Sequence, residues 1–123
     1  MSMRTQRRLA VVGAGILATV VVAAAAGVTS VSLVPSTQSH PHGQASSWAG
    51  SWSGGPAPYV YRFNRGDGTA ETGITSATSK NFSWTYWPCY TTTYYQTLAV
   101  TDADGARKVS NQTQATEQGG SPC

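Results

Sequence analysis

Charge, cysteine and histidine are all scarce in this chain, and each scarcity closes off a class of chemistry. Its 123 residues hold eight Lys or Arg, five Asp or Glu, two Cys and two His. A Ser-His-Asp arrangement would have to recruit His40 or His42, and a nucleophilic cysteine would depend on the same two residues for its base. Paired carboxylates of the glycosidase kind would come from five acids, and two of those, Asp102 and Asp104, belong to one tight turn. His40 and His42 lie two apart with no Cys, Asp or Glu nearby to complete a metal site, so they read as solvated. No catalytic constellation and no cofactor is expected.

Helical periodicity is also missing, except in one amino-terminal stretch. Arg4, Arg7 and Arg8 precede Leu9–Ala26, which carries no charge. A basic start, an apolar run and small residues at Ala24-Ala25-Ala26 are the layout of a secretory signal peptide over residues 1–26, cleaved after Ala26. The alternative is an uncleaved anchor to about residue 34, with the run continued through Val28, Val31, Leu33 and Val34. That reaches about the 20 residues a bilayer requires, with the arginines holding the amino end inside. Either reading delivers the remainder outside the cytoplasm, secreted or at the outer side of the membrane.

Removing this stretch changes the charge. Beyond Ala26, Arg62, Arg65, Lys80, Arg107 and Lys108 are matched by Asp67, Glu71, Asp102, Asp104 and Glu117, so the formal +3 sits in the three leading arginines. A nucleic-acid partner is therefore not expected, and a membrane only if the leading segment is retained.

Residues 27–54 are mostly Ser, Thr, Gln, His, Pro and Gly, which predicts a flexible linker with one edge strand near Ser46–Gly55. From residue 55 the pattern becomes that of strands. Tyr59, Tyr61 and Phe63 alternate with Val60, Arg62 and Asn64, and Gly66-Asp67-Gly68 ends the strand in a turn. Ala70–Thr78 is small and threonine-rich. Phe82, Trp84 and Tyr86 alternate on one face until Pro88 breaks the pattern. Thr91–Thr101 is β-branched and aromatic, with Tyr94, Gln96, Leu98 and Val100 inward. Asp102-Ala-Asp-Gly105 is a turn, and Ala106–Thr116 returns as the last strand. Short strands with regular turns predict a small antiparallel sandwich over residues 55–118, followed by a tail, residues 119–123.

The stretch Gly55-Pro-Ala-Pro-Tyr-Val-Tyr-Arg-Phe-Asn-Arg-Gly-Asp-Gly-Thr69 resembles the early strand of PKD domains, whose pattern there is Pro-x-x-Tyr-x-Trp-Asp-Phe-Gly-Asp-Gly-Thr. Pro58, Tyr61 and Gly66–Thr69 match. Phe63, Asn64 and Arg65 depart from it, and Arg65 at a usually apolar position suggests an exposed strand end. The later family signature, His-x-Tyr then Tyr-x-Val-x-Leu-x-Val-x-Asp, is similar to Trp84-Thr-Tyr86 and Tyr94–Asp102, with Trp84 for histidine and Gln96 for valine. The resemblance implies an all-β, immunoglobulin-like β-sandwich. It also raises a calcium site using Asp67 with Asp102 and Asp104, against which the turn is reason enough for all three acids.

In such a sandwich the last two strands form a hairpin around Asp102–Gly105, which puts Cys89 opposite about position 118 and within reach of Cys123. A Cys89–Cys123 disulfide would be worth roughly 3–4 kcal/mol in a chain-entropy account. Two free thiols or an intermolecular link through Cys123 remain the alternative. Asn81-Phe-Ser83 and Asn111-Gln-Thr113 are glycosylation acceptors if the source glycosylates them. Arg65-Gly66-Asp67 spells an adhesion tripeptide, but the turn explains its glycine and aspartate.

All twelve aromatic residues fall between Trp48 and Tyr95. With few aliphatic residues available, Tyr61, Phe63, Trp84, Tyr86 and Tyr94 are expected to build the core with Leu98 and Val100. Trp48, Trp52, Trp87, Tyr90 and Tyr95 are the surplus, and exposed aromatics beside small polar residues suit stacking on sugar rings or anchoring a protein. The expected function is a non-catalytic exported module that binds polysaccharide or protein through them. The alternatives are a small secreted enzyme inhibitor using the Trp87–Tyr90 loop, or a structural spacer.

Overall fold

A computed structural model describes residues 27–121 and Cys123. The expected signal peptide lies outside the described residues. The described chain is all strand and turn: β1 Val28–Val34, β2 Thr37–His40, β3 Ser46–Gly54, β4 Tyr59–Asn64, β5 Ala70–Thr75, β6 Ser79–Trp84, β7 Thr92–Thr101, β8 Arg107–Val109 and β9 Thr113–Glu117. One sheet has the order β1-β3-β6. The other has the order β2-β9-β7-β4-β5, with β8 also pairing β7.

The stretch expected to be a linker instead supplies three strands, and its composition misled because each strand buries only a few residues. In β1, Val28, Val31 and Leu33 face inward while Thr29, Ser30 and Ser32 face out. In β3, Trp48 and Trp52 alternate with outward serines and Ala49. Averaged over both faces the segment is polar, whereas one face alone is apolar enough to be half of a core. The extension of the apolar run into an anchor to Val34 fails for the same reason, since Val28–Val34 is a sandwich strand. No helix among the described residues is long and apolar enough to cross a membrane.

Between the sheets lies one cluster of mostly aromatic side chains. Phe63 stacks on Phe82 with centroids 4.4 Å apart, Trp48 tilts against Phe63, and Tyr86 stacks on Tyr94 at 4.0 Å. Tyr61, Phe63, Tyr86, Leu98 and Val100 are buried as expected, and Trp84 and Tyr94 pack against them partly buried. Gln96 is also fully enclosed. Its amide donates to the Tyr86 hydroxyl and the Tyr94 carbonyl and accepts from Thr113, so no polar atom of it is stranded.

The last strand is broken in two. β8 pairs with the second half of β7 and β9 with the first half, with Ser110–Gln112 between them. Here Asn111 leaves the ladder. Its side-chain oxygen accepts from the Leu33 amide at 3.1 Å and its nitrogen donates to the Leu33 carbonyl at 2.9 Å, which caps the free edge of β1. The register Thr92↔Glu117, extended three residues each way, sets Cys89 level with position 120 rather than 118.

Candidate functional site

Two ends of the sandwich have different characters. At one end are Gly27, the Gly54–Pro58 connection and the Asp102–Gly105 turn. There the Asp102 carboxylate accepts the Asp104 and Ala106 amides. At the other end lie the Gly66–Gly68 turn, the loop before β3, the Trp84–Thr92 connection and the carboxyl-terminal residues. β4 runs between these ends, so Asp67 and the Asp102–Asp104 pair sit at opposite ends of one strand and do not converge. Among the described residues no group of three or more His, Cys, Asp or Glu side chains is placed to hold a metal.

The Gly66-Asp67-Gly68 turn has both glycines at positive φ, 85° and 89°. Asp67 accepts the Thr69 amide at 3.0 Å and its hydroxyl at 2.5 Å, and its second oxygen accepts the Trp84 indole N–H at 3.0 Å. Burial alone would push the Asp67 carboxyl up. The hydrogen bonds from Thr69 and Trp84 outweigh it and hold the group below the usual carboxylate range. Arg65 is not left exposed as expected. Its guanidinium lies 3.7 Å from the centre of the Trp84 ring and reaches Glu71 at 3.6 Å, and only 13% of its side chain is open to solvent. Tryptophan in place of histidine at position 84 explains the exchange, because its broad face covers an arginine. Both charged members of Arg65-Gly66-Asp67 are thus engaged within the fold.

The surplus aromatics separate. Trp48 and Trp52 are 2% and 4% exposed, so neither is a surface platform. They were misplaced with the segment that holds them, since period-two alternation in β3 directs both into the core. Trp87, Tyr90 and Tyr95 are exposed by 69%, 83% and 49%. Tyr95 faces out from the middle of the larger sheet, away from the other two. Trp87 and Tyr90 share the short connection between β6 and β7, in which Cys89 is bonded to Cys123.

This connection is held from two sides. The His42 ring meets Trp87 edge-on at 5.5 Å, and His42 Nδ1 donates to the Gln118 carbonyl at 3.1 Å. Gly43, at φ 81°, lies so close to the Trp87 ring that a methyl group there would collide with it. The Gly120 amide bonds the Pro88 carbonyl, and Gly119 packs on Tyr90 with no room for a side chain. One flank of the indole is thereby fixed while the remainder is open. The segments meeting here, residues 40–45, 84–92 and 118–123, contain no Lys, Arg, Asp or Glu. Sequence reading missed His42, because a contact between residues 45 apart leaves no local signal.

A second feature is an open groove of about 610 Å³ on the smaller sheet, lined by Val34, Pro35, Ala49, Asn81 and Phe82 among others. Asn81, a glycosylation acceptor by sequence, is exposed at its rim.

Two sheets in this order, with the Gly-Asp-Gly turn after β4 and a terminal hairpin, form an immunoglobulin-like sandwich of the PKD type. The structure is similar to the PKD domain of an M14-like peptidase from Thermoplasmatales archaeon SCGC AB-540-F20. The TM-score is 0.58 at 14% identity over 74% of this chain and 95% of that one. No family model and no curated protein matches the chain in sequence.

Proposed function

We propose that the protein is an exported, non-catalytic binding module and that the Trp87–Tyr90 connection is its binding surface, stacking on the sugar rings of an uncharged polysaccharide. The observation that carries this reading is the state of Trp87, an indole 69% exposed yet fixed along one flank by His42 and Gly43. A ring already held loses little conformational freedom on binding, and its open part is free to stack. The surrounding residues offer hydroxyls and amides (Thr91, Gln118, Ser121) and no acidic, lysine or arginine side chain, which suits a neutral polyhydroxylated ligand. The Cys89–Cys123 disulfide supports export, since such bonds persist in oxidising compartments. The similar structure being one domain of a peptidase supports reading this fold as a module.

The test is retention on insoluble chitin, cellulose and cell wall. Wild-type chain is expected in the pellet and Trp87→Ala and Tyr90→Ala in the supernatant. No retention on any of the three removes the polysaccharide reading. A protein-directed role, as an inhibitor presenting a disulfide-held loop, is favoured by the 83% exposure of Tyr90 beside Cys89. Inhibition of a protease panel that disappears on reduction would support it.

A further inference from the structure

Five acids balance five bases beyond Ala26, but the fold does not spend them equally. The Asp102 and Glu117 side chains are buried, Asp67 serves Thr69 and Trp84, and Glu71 lies between Arg65 at 3.6 Å and Lys80 at 3.7 Å. Those are the only ion pairs among the described residues. Arg62, Arg107 and Lys108 have no carboxylate partner there, so the part of the chain beyond Ala26, neutral in sum, presents a basic surface locally.

Two of these bases share one face. The pairings Val60↔Ile74, Val60↔Thr101 and Thr101↔Arg107 run in one row across the outer side of the larger sheet. The pairings Arg62↔Thr72, Arg62↔Ala99 and Ala99↔Val109 form the next row. Four strands at about 4.8 Å spacing make a patch about 15 Å wide. It carries Ile74 at 71% exposure, Val60 at 48% and Val109 at 44%, with Arg62 and Arg107 among them and no acid on the face. Asp104 is exposed only in the adjoining turn.

We infer that this face docks on an anionic lipid surface. Exposed aliphatic side chains interleaved with arginines match a layer that has phosphate outside and hydrocarbon beneath. A second copy of the chain would set Arg62 and Arg107 against their own equivalents, which charge disfavours. A soluble polyanion would use the arginines but leave Ile74 and Val60 in water. The Trp87 connection, at the opposite end of β7, stays free.

The test is sedimentation of the full chain with phosphatidylcholine vesicles made with and without phosphatidylglycerol. Arg62→Gln and Arg107→Gln leave Arg4, Arg7 and Arg8 in place. Each is expected to weaken the phosphatidylglycerol-dependent binding about fivefold, as one arginine near such a surface implies. Ile74→Ser is expected to weaken it further while unchanged thermal unfolding shows that the fold is intact. Amide exchange across Ala70–Thr75 and Arg107–Val109 is expected to slow on the anionic vesicles only. Binding that none of the three substitutions alters would overturn the inference. So would inorganic polyphosphate producing the same protection with Ile74→Ser behaving as wild type, which would mark a site for polyanions.

Discussion

The indole N–H of Trp84 donates to Asp67 at 3.0 Å, joining the end of β6 to the turn that follows β4 across the two sheets. The same ring carries the Arg65 guanidinium on its face, so one side chain fastens the turn from two directions. Trp84→Phe keeps a ring under Arg65 and removes the hydrogen bond to a charged acceptor. The expected loss is about 1–2 kcal/mol in chemical denaturation.

Acid should act through Asp67. Its carboxyl sits below the ordinary value of 3.8 in the fold, so it contributes stability above that value and loses it as pH falls through the lower folded value. Asp67→Asn is expected to be less stable than wild type near neutrality and to show a flatter decline below about pH 4. A decline as steep as wild type would place the acid sensitivity elsewhere.

Alkali should act through Tyr86. Burial raises its hydroxyl from 10.0 to about 12, and the hydroxyl donates to the Arg65 carbonyl. Its contribution is complete below pH 10 and lost as pH rises towards 12. Stability measured across that window should fall in wild type and fall less in Tyr86→Phe, which starts lower for want of its hydrogen bonds.

How much of this was legible in the sequence depends on whether a signal was local. The alternation Tyr59-Tyr61-Phe63, the Gly66–Gly68 turn and the inward set ending at Val100 are short-range patterns, and the strands form where they say. The disulfide followed from the terminal hairpin, despite a register two residues off. What escaped was governed by partners distant in sequence. Arg65 reads as an exposed oddity until Trp84 covers it. Trp48 and Trp52 read as surplus because Val31 and Leu33, which help enclose them, lie in a stretch whose serines hide its apolar face. Neither His42 beneath Trp87 nor the consumption of four acids inside the fold leaves a trace in composition.

Asn111 supplies a prediction of the non-local kind. It holds both backbone groups of Leu33, so Asn111→Ala leaves an amide and a carbonyl of β1 without partners. About 1–3 kcal/mol should be lost, and the Leu33 amide should exchange faster than its neighbours in β1. Asn111 and Asn81 are both exposed, but a side chain so engaged is a poor acceptor for a glycan.

Glu117 supplies the opposite. Its carboxyl is fully buried and neither oxygen finds a hydrogen bond within the protein. Glu117→Met, of similar length and apolar, is expected to raise stability by about 1–3 kcal/mol. A loss of that size would show that the carboxyl has a partner, a bound water among them.

If the Trp87–Tyr90 connection, and not the aromatic content at large, is the binding surface, the exposed aromatics will differ in their effect. Affinity for whichever polysaccharide retains the protein should be compared among wild type, Trp87→Ala and Tyr95→Ala, at low and high salt. Trp87→Ala is expected to weaken binding at least tenfold and Tyr95→Ala to bind as wild type, with salt having little effect on either. Equal binding by Trp87→Ala and wild type would contradict this reading.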